Sequence, residues 1–353
     1  MRGLCLCVVL GALATFGASA GTNAQDGAGS NLTTVTLLST AFNPPSVQSF
    51  WYAGAIDGLY KAHGLDVHPQ QSPGSPASIA AIMSGKAQFA SVNLNTFASA
   101  AAEGLPAKGV MLGNFDTPGV VLAQAEIASA GDLATKTIAT SSLGSQEYTI
   151  VSSYLRIKGI DTSKIQWVAT NGNANSLQAL LAHRVDAAWF DMTTALKALE
   201  MDPKLKILVS PEQLSQTTPI GTGLVVVTNA YAAAHPDIVE NFVAASIESC
   251  RKLVEDKSYF SATAEKWLRG LYRPQQLDEL YEAYRPAYGV NGGMIMPVLE
   301  ASLDEWKRTI NPDRAKNPYF STIDQIVDTH FAAAALKKLG IMPGSRDTAD
   351  WLK

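Results

Sequence analysis

The stretch SIAAIMSGKAQFASVN (78–93) aligns without a gap on SLQALLAHRVDAAWFD (176–191). Ser78 falls on Ser176, Ala81 on Ala179, Lys86 on Arg184 and Ala90 on Ala188, and upstream Gly74 falls on Gly172. In each copy a Gly/Asn/Ser loop opens an amphipathic helix. A turn with one basic residue follows, then a short apolar strand ending in a polar side chain, Asn93 or Asp191. A loop–helix–strand unit that occurs twice predicts two similar α/β lobes.

The flanking sequence extends each copy. In the first lobe VTLLS (35–39) reads as a strand, and Ser46 to His63 as a helix with Ala53, Ile56, Leu59 and Tyr60 on its apolar face and Gly64 closing it. A strand starts at Leu65, a helix runs from Asn95 to Gly104, and short strands cover 110–112 and 120–123. The second lobe repeats this with a strand at 136–140, a helix at 145–158 closed by Gly159, and strands at 165–169, 205–209 and 224–227. Strands alternating with helices of this length predict a parallel, doubly wound sheet in each lobe.

From Pro236 onward the pattern is helical (237–255, 261–269, 275–284, 296–308), and these helices are expected to pack back on the first lobe. Lobe I then comprises 33–118 plus 224–353, lobe II 119–223, with a two-stranded hinge between them. Pro118, Gly119, Gly221 and Gly223 in the two crossings suit either a hinge or ordinary turns.

The N-terminus reads as an export signal. Arg2 precedes an apolar run from Leu4 to Phe16, and Ala18-Ser19-Ala20 is a small-residue cleavage site, so cleavage is expected after Ala20. The run is shorter than the roughly 20 apolar residues a bilayer span needs. Residues 21–32 read as a disordered leader. Cys5 and Cys7 leave with the signal, so Cys250 cannot form an intramolecular disulfide. Apolar neighbours at helical spacing, Ile247, Leu253 and Val254, predict a buried structural thiol.

A 47% hydrophobic, 16% charged composition supplies a core for both lobes, and dispersed Lys and Arg with a net charge of −4 argue against a nucleic-acid surface. In open α/β sheets a ligand sits beyond the carboxyl ends of the strands. Those ends carry Phe42-Asn43, Gly74-Ser75, Asn93 and Asn95, Ser141 and Gly144, Asn171, and Trp189 with Asp191, which form the candidate ligand-binding set. Most of these loops open helices, whose free N–H groups and positive dipole ends attract anions. No Lys or Arg lies in them. Asp191 would favour an amine or ring N–H, and Phe42 and Trp189 are the expected walls.

No G-x-S-x-G elbow, Walker loop or H-E-x-x-H pair occurs, and the five histidines show no metal-binding spacing. No catalytic residue, cofactor or metal is expected.

WYAGAIDGLYKAHGLDV (51–67), SIAAIMSGKAQFASV (78–92) and DAAWFD (186–191) resemble, in order and spacing, segments of the periplasmic solute-binding proteins of the nitrate/sulfonate/taurine and thiamine-pyrimidine (NMT1/THI5-like) group. The similarity runs from about residue 33 to 300. It implies a class II periplasmic-binding-protein fold, a hinged monomer that closes on a small solute and docks on the permease of an ABC importer at the inner membrane. Gln88 departs from the acid many relatives carry, and the His/Cys-rich motif of the pyrimidine-synthase branch is missing. The expected cargo is a sulfonate, a taurine-like zwitterion, a nitrogen heterocycle or an aromatic acid. An enzyme on the same scaffold and a sensory receptor are the alternative readings.

Overall fold

The computed structural model describes residues 32–39, 53–55, 57–116, 118–143, 145–217, 222–268, 270–309 and 323–352. The expected export signal, the leader up to residue 31, Phe42, Asn43, Gly144 and Gly221 lie outside the described residues.

The first lobe opens with β1 (Thr33–Ser39), α1 (Leu59–Ala62), β2 (Leu65–Gln71), α2 (Ser75–Met83), β3 (Phe89–Val92), α3 (Leu94–Ala102) and β4 (Ala107–Asn114). The second holds β5 (Gly119–Ala123), β6 (Thr137–Thr140), α4 (Gln146–Ile157), β7 (Gln166–Ala169), α5 (Asn173–Leu181), β8 (Ala187–Asp191), α6 (Met192–Met201), β9 (Lys206–Val209) and α7 (Pro211–Thr217). The chain returns through β10 (Thr222–Thr228) and ends in α8 (Asn229–Ala234), α9 (Pro236–Glu255), α10 (Lys257–Leu268), α11 (Pro274–Tyr284), α12 (Met296–Thr309) and α13 (His330–Leu339).

The sheets have orders β2-β1-β3-β10-β4 and β7-β6-β8-β5-β9. The expectation of parallel sheets needs correction. β10 is antiparallel to both β3 and β4, and β5 to both β8 and β9, so each sheet is mixed. In each case the reversed strand is the one that has just crossed from the other lobe. A strand arriving directly from a facing sheet must enter at the edge where its neighbours leave, which reverses it.

Two further expectations change. The helix predicted over 46–63 is, in its described part, a 3₁₀ turn at 53–55 and the short α1, which Gly58 separates with a left-handed φ of 83°. The C-terminal helices also do not all return to the first sheet. α9 and α13 pack on β4 and α12 on α3, whereas α11 packs on α6 of the second lobe. One apolar cluster accordingly joins Phe89 and Phe242 of the first lobe to Phe190 and Leu196 of the second through Trp267, Leu277 and Tyr284. Phe89 and Phe242 stack with centroids 3.9 Å apart.

The two sequence copies fold alike. Gly74 and Gly172 precede α2 and α5, and Ser78 and Ser176 are buried in their first turns. Gln88, whose place in the chain bore on the ligand expectation, serves the sheet instead. Its Oε1 accepts from Thr36 N at 2.8 Å, and in the second copy Asp186 Oδ2 accepts from Thr137 N at 2.8 Å. Each side chain pins the strand it precedes to that strand's parallel neighbour, β3 to β1 and β8 to β6. Asp186→Ala is expected to lose about 1 kcal/mol, the typical net worth of one such hydrogen bond, while Gln88→Glu, which keeps an acceptor, holds the wild-type melting temperature. Thermal melts followed by circular dichroism test both, and an unchanged melt for Asp186→Ala would remove the clamp from the account.

Candidate functional site

The topology fixes where the two lobes face. β4 leaves the first sheet at the carboxyl edge shared by β1, β2 and β3, and β5 enters the second sheet beside the carboxyl end of β8, with Gly119 paired to Asp191. Only residues 115–118 lie between. At about 3.5 Å per extended residue, the tether from Asn114 to Gly119 spans at most roughly 18 Å. The return path leaves β9 at Val209 and enters beside the carboxyl end of β3, with Leu224 paired to Val92. Both crossings therefore join one carboxyl edge to the other, the edges from which the helix-opening loops leave.

In the first lobe the structure brings Ser75 and Asn93 together, since Asn93 N donates to Ser75 Oγ at 3.2 Å. Gly74 precedes α2 in an extended conformation and its carbonyl accepts from Ser72 Oγ at 3.0 Å. Asn93 caps α3 through its backbone without a side-chain cap bond. Asn95, the second residue of that helix, has its Oδ1 buried without a hydrogen-bond partner.

The second lobe builds a denser loop cluster. Thr140 Oγ1 lies 2.8 Å from Ser145 Oγ, Thr170 Oγ1 donates to Thr140 O at 3.0 Å, and Asn171 N donates to Ser141 O. Asn171 takes a left-handed φ of 62°, which its short polar side chain tolerates. Ser141 Oγ donates to Glu147 Oε2 at 2.8 Å, placing a carboxylate in the first turn of α4. Asp191 is the N-cap of α6. Its Oδ1 accepts from Thr194 N at 2.8 Å and from the Thr193 hydroxyl. Both anionic groups thus sit at helix N-termini, where the dipole stabilises them.

The aromatic expectations resolve towards packing. Trp189 is 4% exposed within the apolar cluster of the second sheet, under Gly119, where a Cβ would collide with the indole. It packs in the core beside the edge where Gly119 pairs with Asp191, and its Nε1 is buried without a hydrogen-bond partner. Phe97, Phe115 and Phe190 are fully buried as well.

Sequence reasoning missed three groups here. Glu147 was legible as an acid in the first turn of a helix that opens at a strand end. Asn173 opens α5 with its Oδ1 buried and unpartnered. Tyr284 ends α11 with its hydroxyl buried and unpartnered, and burial, reinforced by the Asp191 carboxylate, pushes its pKa well above the usual phenol value. Only the long-range packing of α11 brings Tyr284 there, so no local pattern could have shown it. Beside the first crossing, Asp116 is 7% exposed and pairs with Arg346 at 3.3 Å.

Among the described residues no group of His, Cys, Asp or Glu could hold a metal ion. Cys250 is fully buried, and desolvation raises its thiol pKa, which makes it an inert packing group.

Residues 47–257, more than half of the chain, match the family described as NMT1/THI5 like. The chain belongs to this family. Solved structures agree in fold. The chain is similar to the periplasmic sulfonate-binding protein SsuA of Methylobacillus flagellatus KT (TM-score 0.69, 18% identity, 89% of this chain and 96% of that one). It is also similar to the periplasmic aliphatic sulphonate binding protein SsuA of Escherichia coli (0.65, 17%, 86% and 99%). A third relative is the periplasmic nitrate-binding protein NrtA of Synechocystis PCC 6803 (0.65, 12%, 89% and 92%). No curated protein sequence matches the chain. Membership of the NMT1/THI5-like family and these neighbours make it a chain of the periplasmic binding-protein fold, and the Methylobacillus neighbour is described as the binding protein of a sulfonate ABC transporter.

Proposed function

We propose that this NMT1/THI5-like protein is a receptor that captures a small organic solute between its lobes and delivers it to an ABC importer. The observation that carries the reading is the pair of crossings, each joining carboxyl edge to carboxyl edge, which turns the helix-opening loops of both lobes onto one gap. The division at 33–118 plus 224–353 and 119–223 is the one across which closure takes place. Export with cleavage after Ala20, action as a periplasmic monomer and docking on an inner-membrane permease complete the proposal. No described helix is long and apolar enough to cross a membrane.

The cleft chemistry favours a solute carrying an amine or ring N–H. Glu147 and Asp191 place carboxylates in the helix-opening turns of the second lobe, and the backbone N–H groups of α2 and α3 opposite remain for an acidic end. A taurine-like zwitterion fits this division of charge best. Sulfonates, nitrogen heterocycles and aromatic acids are the comparison classes.

A thermal-shift screen of the mature chain against these four classes tests the proposal. A solute at a hundred times its Kd stabilises by about 2.7 kcal/mol. Saturable stabilisation, with the solute recovered unchanged, supports a receptor. Conversion of the solute would replace it with an enzyme. Asp191 separates cap from contact: Asp191→Ala is expected to cost about 1 kcal/mol of stability through the lost cap and to weaken an amine-bearing solute. Asp191→Asn keeps the cap and loses only the solute. Equal affinity of all three proteins in calorimetry would take Asp191 out of the site.

A further inference from the structure

We infer that the turn between α10 and α11 is a latch that holds the two lobes at one relative angle. The hairpin is anchored on the first lobe. Tyr259 donates to Asp57 Oδ2 at 2.6 Å, Lys266 pairs with Asp57 at 3.3 Å, and Tyr281 donates to the Val254 carbonyl of α9 at 2.6 Å. Its tip reaches the second lobe. Tyr272 donates to Thr193 O at 3.2 Å, Arg273 pairs with Glu200 at 2.7 Å, and Lys197 Nζ sits 5.0 Å from the Tyr272 ring centroid. All three partners lie on α6.

These contacts span the lobes without passing through either crossing, so a change of lobe angle must break or slide them. They also end on the cleft. The Thr193 residue that receives the Tyr272 hydroxyl gives its own hydroxyl to Asp191. At the far end of α11 the unpartnered Tyr284 hydroxyl leaves the hairpin with an unmet bond in this arrangement. A buried polar group without a partner is an exception that another arrangement can resolve. The latch contacts are individually modest: one hydroxyl–carbonyl bond and one largely exposed ion pair, together worth on the order of tenfold in a population ratio. That magnitude suits a contact that must be released in each working cycle.

The test needs no solute. Lys86 and Lys164 are exposed, one in each lobe, and Cys250 is buried, so Lys86→Cys with Lys164→Cys accepts spin labels at two known places. Adding Tyr272→Phe and Arg273→Gln is expected to shift the ratio of inter-lobe distance populations by about tenfold. Superimposable distributions before and after would overturn the latch. A hairpin unravelled by those changes could also broaden the distances. The exchanged pair Arg273→Glu with Glu200→Arg therefore supplies the second reading. It should return the distribution to that of the labelled parent, and failure to do so overturns the inference equally.

Discussion

Replacing Gly289 by alanine is expected to cost more than about 3 kcal/mol and to lower the melting temperature by roughly 4 °C or more. The segment 287–293 lies along the outer edge of β4 in place of a further strand. Phe115 N donates to Ala287 O at 3.0 Å, Gly289 N to Gly113 O at 2.9 Å and Leu112 N to Gly292 O at 2.9 Å. A Cβ on Gly289 would overlap the Leu112 carbonyl oxygen, a backbone atom that cannot swing aside. The segment must lift, releasing three bonds worth about 1 kcal/mol each and exposing a strand edge. β4 leads directly into the first crossing, so the damage reaches the hinge. Urea denaturation of Gly289→Ala measures it, and a midpoint matching wild type would show that the edge tolerates displacement.

Asp347→Ala is expected to be nearly as severe. Asp347 is fully buried, and its Oδ2 accepts from Asn291 N at 2.7 Å and Gly293 N at 2.8 Å. Arg251 binds the same region through Val290 O, Leu339 O and Asn291 Oδ1. Deleting the carboxylate orphans two buried donors, each costing about 1–3 kcal/mol. A second variant carries a pH signature. Burial raises the Asp347 pKa against the opposing pull of its hydrogen bonds. A carboxyl raised on folding contributes stability that is complete below its unfolded value near about 4 and is lost as pH rises through the folded value. Asp347→Asn, permanently neutral, should therefore gain on wild type as the pH is raised from about 4 towards neutrality. A constant difference in melting temperature across that range would show that the carboxyl is not raised.

The internal repeat made the architecture legible because it encodes contacts that are local in sequence. Gly74 and Gly172, Ser78 and Ser176, and the strands after them fold as the alignment implies. The strand reversal was hidden because β10 and β5 have the apolar composition of the strands beside them, and only the crossing path sets their direction. The C-terminal helices misled for a related reason. An apolar helix face declares that it is covered, not by which lobe, and α11 finds α6. At the site, loop positions could be read from strand ends, so Ser75 and Asn93 meet as a pair. Polar residues in those loops turned out to serve two purposes. Asp191 caps a helix and Ser141 binds Glu147, and neither partnership follows from residue type alone. Trp189 shows the opposite failure, a strand aromatic whose large apolar area went to the core.

The strand order also dictates a sequence of assembly as the polypeptide emerges. Every strand of the second sheet lies between Gly119 and Val209, so that lobe can pair completely from one continuous stretch. The first sheet cannot. Its fourth position is filled by β10, which bonds Val92 through Leu224 only after the whole second lobe has been made. Until residue 228 is available, β3 and β4 have no strand between them. Pairings so distant in sequence form slowly, which leaves the N-terminal lobe open for longest. Under the export proposed above, the segment that leads the chain would be the last able to lock.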